Sequence, residues 1–104
     1  MSAAGSRHME RVAGLPCCVC EHMGRPHVYG VQVHHIREGQ GAAQRADDML
    51  TIPVCYEHHL GANGIHGLGR KGFYARYKVD ELQLLAATLE KLEPWARFSS
   101  VYRR

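Results

Sequence analysis

Two pairs of metal-affine side chains constrain this chain more than anything else in it. Cys17 and Cys20 form a C-x-x-C knuckle, and further on Cys55 and His58 form a C-x-x-H of the same local geometry. Each tight turn brings two ligands to one side of an ion, so the two pairs together can surround one zinc tetrahedrally. Cys18 competes with Cys17 for its place, but only Cys17 has the two-residue spacing to Cys20. His22 and His27 lie close enough to substitute as ligands and otherwise read as loop histidines. The separation between the pairs is longer than in a DNA-reading finger, which points to a zinc that staples loops. A chain of 104 residues makes one small domain with a modest core, for which a bound metal is a natural source of added stability.

The redox setting follows from the rest of the sequence. No apolar run reaches membrane-spanning length, and "MSAAGSRHME" lacks the apolar core of a secretory signal. A cytoplasmic protein, in a bacterial host, is therefore expected. There the four cysteines serve as thiolate ligands or buried thiols rather than as two disulfides. The formal net charge is +3, and the positive residues bunch late, at Arg70, Lys71, Arg76 and Lys78 and again at Arg97, Arg103 and Arg104. That distribution favours an anionic partner over a membrane or a small cofactor.

Along the chain, Ser6 can cap a short helix running to about Gly14, which Leu15-Pro16 closes. Residues 21–31 carry Gly24, Pro26 and Gly30 and read as a loop. "VQVHHI" alternates as a short strand, and "LTIPVC" reads as a second, with Pro53 at an edge or an end. "REGQGAAQRADD" connects them. "YEHHLGANGIHGLG" starts as a helical turn and is broken by its glycines, and "KGFYARYK" can form a short helix. The last helix is the clearest: Asp80 caps it, Gln83 completes a capping box, and Leu82, Leu85, Leu89 and Leu92 form an apolar stripe until Pro94 stops it. The expected organisation is a flexible N-terminus over 1–5, one domain over 6–93 and a basic tail over 94–104.

If His58 completes the zinc set, His34, His35, His59 and His66 remain. Neighbouring residues on a strand point to opposite sides, so one of His34 and His35 can ligate an ion while the other acts as a base. His59 follows Cys55, and His66 comes after a glycine-rich bend that can fold it back. Imidazole suits a base because it titrates near neutrality.

Taken together, "C-x-x-C … VHHI … IPVC-x-x-HH … IHG" resembles the HNH, or ββα-metal, endonucleases. More narrowly, "RVAGLPCCVC", "VHHIREGQGAAQRADD", "TIPVCYEHH" and "GIHGLGRKGFYARY" are similar to the phage recombination-enhancement (Ref) nucleases and their prophage relatives. The similarity covers roughly residues 8–92. It implies an α+β fold: a small zinc-stapled ββα-metal domain with short strands, long loops and flanking helices. It implies His35 as general base, His34, His59 and His66 as ligands of a catalytic Mg or Mn ion, and Cys17, Cys20, Cys55 and His58 as the structural zinc set. The asparagine of the family's name has no counterpart in "RADDMLTIP", where Asp47 or Asp48 stands to hold the loop.

The implied activity is metal-dependent hydrolysis of DNA phosphodiester bonds, nonspecific or directed by a RecA filament. Arg37, Arg70, Lys71 and Arg76 are the candidate phosphate contacts, which position without reading sequence. A non-catalytic zinc module binding DNA or a protein is the alternative. It differs in that a second metal site would be closed, with no position left for water.

Overall fold

The computed structural model describes residues 2–36 and 47–101, with side chains described as far as residue 93. Candidate residue Arg37 lies outside the described residues. The chain forms a mixed α+β domain: α1 (Ala3–Ala13), α2 (Cys18–His22), β1 (Gln32–His35), β2 (Thr51–Val54), α3 (Tyr56–His59), α4 (Ile65–Tyr77) and α5 (Glu81–Val101).

α1 begins a turn earlier than the Ser6 cap implies. Ser2 is the N-cap, its hydroxyl accepting from the Gly5 N–H at 2.9 Å, while Ser6 sits inside the helix and donates its own N–H to the Ser2 carbonyl at 3.0 Å. Both serines can cap, but the alanines between them are the best helix formers and extend the element to the earlier one. Ala3 to Gly5 are thus helical.

β1 and β2 pair antiparallel in the register Gln32↔Val54, Val33↔Pro53, His34↔Ile52 and His35↔Thr51. A two-stranded ladder is all edge, which is where a proline without an N–H is tolerated. All four β2 residues are buried, because α1, α2 and α5 all pack against that strand. Ile36, Ile52, Val54, Phe73, Tyr77, Val79, Leu84 and Leu85 make the core with the Cys17–Cys20 segment.

α5 carries the expected capping box: the Gln83 N–H donates to Asp80 Oδ1 at 2.8 Å and the Asp80 N–H to Gln83 Oε1 at 2.9 Å. Its buried face keeps only Leu85 of the leucine stripe as a buried member. Leu82 and Leu89 are 48% and 42% exposed, whereas Leu84, Leu85 and Thr88 turn inward. Thr88 can be buried because its hydroxyl donates to the Leu84 carbonyl at 2.8 Å, which removes the desolvation cost that would keep it at the surface. The helix also runs past Pro94 to Val101. A proline forfeits one hydrogen bond to the preceding turn and bends a helix without forcing it to end. No helix among the described residues is long and apolar enough to cross a membrane.

Candidate metal centres

The two knuckles meet. Cys17 caps α2 and Cys20 lies within it, while Cys55 caps α3 and His58 lies within that helix. The thiol of Cys17 also accepts from the Cys20 N–H at 3.5 Å, which sets the turn. His58 Nδ1 stands 3.7 Å from Cys17 Sγ, 3.5 Å from Cys20 Sγ and 3.3 Å from Cys55 Sγ. Tetrahedral zinc with ordinary Zn–S and Zn–N bonds would separate nitrogen from each sulfur by about 3.6 Å, so this set could hold a structural metal such as zinc. Cys18 is buried but stands outside the cluster, and all four cysteines are free thiols. His22 faces the Tyr77 carbonyl at 3.0 Å and His27 faces Glu21 at 3.2 Å, so neither substitutes as a ligand.

Burial, reinforced by the neighbouring thiols, pushes Cys20 up to about 12 and raises Cys55, while burial lowers His58. The unmetallated pocket therefore favours neutral donors, and a divalent cation must displace thiol protons to enter.

The second centre is built from β1, α3 and α4. His34 Nδ1 lies 3.1 Å from His59 Nε2, and His66 Nε2 lies 3.2 Å from the same His59 nitrogen. The outer nitrogens of His34 and His59 are occupied. His34 Nε2 faces Glu81 Oε1 at 2.8 Å, and His59 Nδ1 faces Gln32 Oε1 at 2.7 Å. A carboxylate accepts only, so His34 carries a proton on Nε2, and in its neutral form it turns the Nδ1 lone pair toward the other rings. The amide oxygen does the same for His59, which burial and the adjacent His34 and His66 lower to about 4, so it is neutral at pH 7. In the neutral rings the lone pairs of His34 Nδ1 and His59 Nε2 face one another and repel unless a cation lies between them, and a ligating histidine tied outward to a carboxylate is the usual arrangement around metals. The donors fit a divalent ion. An all-imidazole set suits Mn²⁺ or Zn²⁺ better than Mg²⁺, whose preference is for oxygen.

His66 reaches this centre because the α3–α4 bend packs on itself. A Cβ at Gly64 would stand 2.5 Å from the His58 carbonyl carbon, and one at Gly67 would stand 2.4 Å from the Gly61 oxygen. Only glycine allows that approach. The three rings open into a cleft of about 520 Å³ that His35, Arg70 and Glu81 also line.

His35 is not among the three-histidine donors, yet it lines the same cleft. Its Nε2 lies 2.8 Å from Asp48 Oδ1. Of the two aspartates, Asp47 shapes the turn, its carboxylate accepting from the Met49 N–H at 2.8 Å, and Asp48 is the one that reaches the histidine. Arg70, Lys71 and Arg76 are exposed on α4, with the Arg76 guanidinium 5.6 Å from the Tyr77 ring centre. Glu81 and Gln32 were not legible as site residues in the sequence; the only hint is that Gln32 shares a strand face with His34. Comparison with protein-family models, with curated proteins and with solved structures finds no match to this chain.

Proposed function

We propose that this chain is a metal-dependent DNA endonuclease of the ββα-metal (HNH) type, of phage or prophage kind. The observation that carries the reading is the three-histidine cluster in an open cleft, with all its described outer hydrogen bonds turned away from the centre, beside a fourth histidine held by a carboxylate. β1, β2 and α3 follow one another in the order the fold name requires, and they carry His34, His35 and His59.

In this reading His34, His59 and His66 hold a divalent ion, Mn²⁺ or Mg²⁺. When bound it supplies positive charge to the scissile phosphate and the departing oxygen. His35 takes a proton from a water, whose oxygen attacks phosphorus as the bond to the 3′ oxygen breaks, and the departing oxygen takes up a proton from solvent. The products carry 5′-phosphate and 3′-hydroxyl ends. Arg70, Lys71 and Arg76 hold the backbone in register by charge. The Cys17, Cys20, Cys55 and His58 centre holds zinc and takes no part in the chemistry.

The test compares wild type with His35→Ala on single-stranded and supercoiled DNA, with and without a RecA filament, in Mn²⁺ and in Mg²⁺, at equal zinc content. Cleavage by wild type alone supports the nuclease, and its filament dependence reports the substrate. Two zinc-loaded proteins that cut nothing would leave a binding module.

A further inference from the structure

Gly5 is buried in the first turns of α1, where alanine is the better helix former. The reason stands beside it. A Cβ at this position would lie 2.8 Å from Asp48 Oδ2 and 3.0 Å from Asp48 Cβ, so no side chain fits without displacing the aspartate. The other oxygen of that same carboxylate is the one 2.8 Å from His35 Nε2. Asp48 is thus wedged between the backbone of α1 and the imidazole.

The rest of its loop is tied down in the same direction. The Leu50 N–H donates to the Asp47 carbonyl at 3.0 Å, and the fully buried Thr51 donates its hydroxyl to the Asp48 carbonyl at 3.0 Å. Thr51 is also the residue paired with His35 across the sheet, which brings the aspartate three residues earlier alongside the histidine. The carboxylate lies by the first turn of α1, whose unpaired N–H groups favour a negative charge.

We infer that Asp48 is a positioning residue that holds His35 as its Nε2–H tautomer, and that Gly5 is the seat on α1 that fixes Asp48. A carboxylate has no proton to give, so the hydrogen bond requires a proton on His35 Nε2, and the neutral ring then keeps its lone pair on Nδ1. The His35 side chain is 35% exposed, so water can reach it. α1 thereby becomes part of the working site although none of its residues lines the cleft among the described residues. The catalytic consequence rests on the nuclease reading; the tautomer does not.

Long-range proton–nitrogen correlation of the imidazoles reads the tautomer directly in the zinc-loaded full chain. Wild type should show His35 protonated on Nε2 alone. Asp48→Asn, whose amide can donate as well as accept, and Gly5→Ala, which pushes the carboxylate aside, should both move His35 toward a mixture of tautomers. With Mn²⁺ and single-stranded DNA, kcat should fall about 100-fold in Asp48→Asn and about tenfold in Gly5→Ala, with KM little changed. Thr88→Ala empties a buried position of α5 outside the Gly5–Asp48–His35 contacts; it should lower Tm and leave both tautomer and kcat as in wild type. Should Gly5→Ala fail to fold, Asp48→Asn carries the test alone. An Nδ1–H tautomer in wild type, or variants that keep the wild-type tautomer and kcat, would overturn the inference while the nuclease reading stands. A wild type that cuts nothing yet shows the expected tautomer pattern would sink the nuclease reading and leave the positioning of His35 intact.

Discussion

The two candidate metal centres share α3, where His58 belongs to one and His59 to the other, yet they are built on opposite principles. In the first, Cys17, Cys20 and His58 are all but sealed from solvent, and four donors close around one point. In the second, three donors leave room on the cleft side, His66 is exposed, and the outer nitrogens of His34 and His59 are anchored to Glu81 and Gln32. A closed shell has nowhere for a substrate to enter, so its binding energy can only serve the fold; an open set of donors, were it to hold an ion, would leave a coordination position for water or substrate. One short helix thus gives a donor to each cluster from adjacent residues.

The largest expected effect separates the centres by stability. Cys20→Ser, or a strong chelator, should remove an apparent binding energy on the order of 10 kcal/mol and unfold the chain, as judged by circular dichroism. His66→Ala should leave the fold in place. Because the Cys20 thiol is pushed up to about 12 and Cys55 is raised as well, zinc uptake at pH 7 should release protons and tighten as pH rises. Calorimetry in buffers of different ionisation enthalpy measures this. A zinc enthalpy independent of buffer would mean that the thiols are not ligands.

Next in size is the loss of the base. His35→Ala should lower kcat by roughly 10²- to 10⁴-fold while the chain keeps its zinc and its Tm within a few degrees. A variant that cuts DNA as well as wild type would move the base elsewhere in the cleft.

A smaller effect belongs to the residues behind the ligands. Glu81→Gln removes the charge that fixes the His34 tautomer, and Mn²⁺ affinity at the open centre should fall about 10- to 100-fold. Gln32→Ala should act in the same direction through His59. Titration of zinc-loaded protein with Mn²⁺ decides it, and unchanged affinity in both variants would show that the anchors do not serve an ion.

How much of this the sequence discloses depends on how local each cause is. The knuckles depend on two-residue spacing, the capping box on Asp80 and Gln83, and β1 on the alternation of "VQVHHI", so all were legible. The leucine stripe misled because it ranks Leu82 and Leu89 above Thr88, and only the Leu84 carbonyl makes a buried threonine acceptable. Glu81, Gln32 and Gly5 were silent for a further reason. Their roles exist only once the start of α5 meets β1 and once α1 meets the 47–50 turn, and no spacing rule encodes such tertiary approaches.

The smallest effect tests whether the open centre faces DNA. α4 breaks at Gly69, whose φ of 74° a side chain rarely adopts, and its second half then presents exposed Lys71 and Arg76 on the element that also supplies His66 and Arg70 to the cleft. If these cations meet phosphates, each releases condensed counterions. Lys71→Ala and Arg76→Ala should each weaken binding alike for every sequence and flatten the dependence of log affinity on log salt by about 0.7 for single strands or about 0.9 for duplex. The size of the change therefore reports which form lies along α4. Zinc content and Mn²⁺ affinity should not move, since neither side chain is among the donors of either centre. A salt slope identical to wild type in both variants would detach α4 from the DNA path, and the open centre would then have to take its substrate from another side of the cleft.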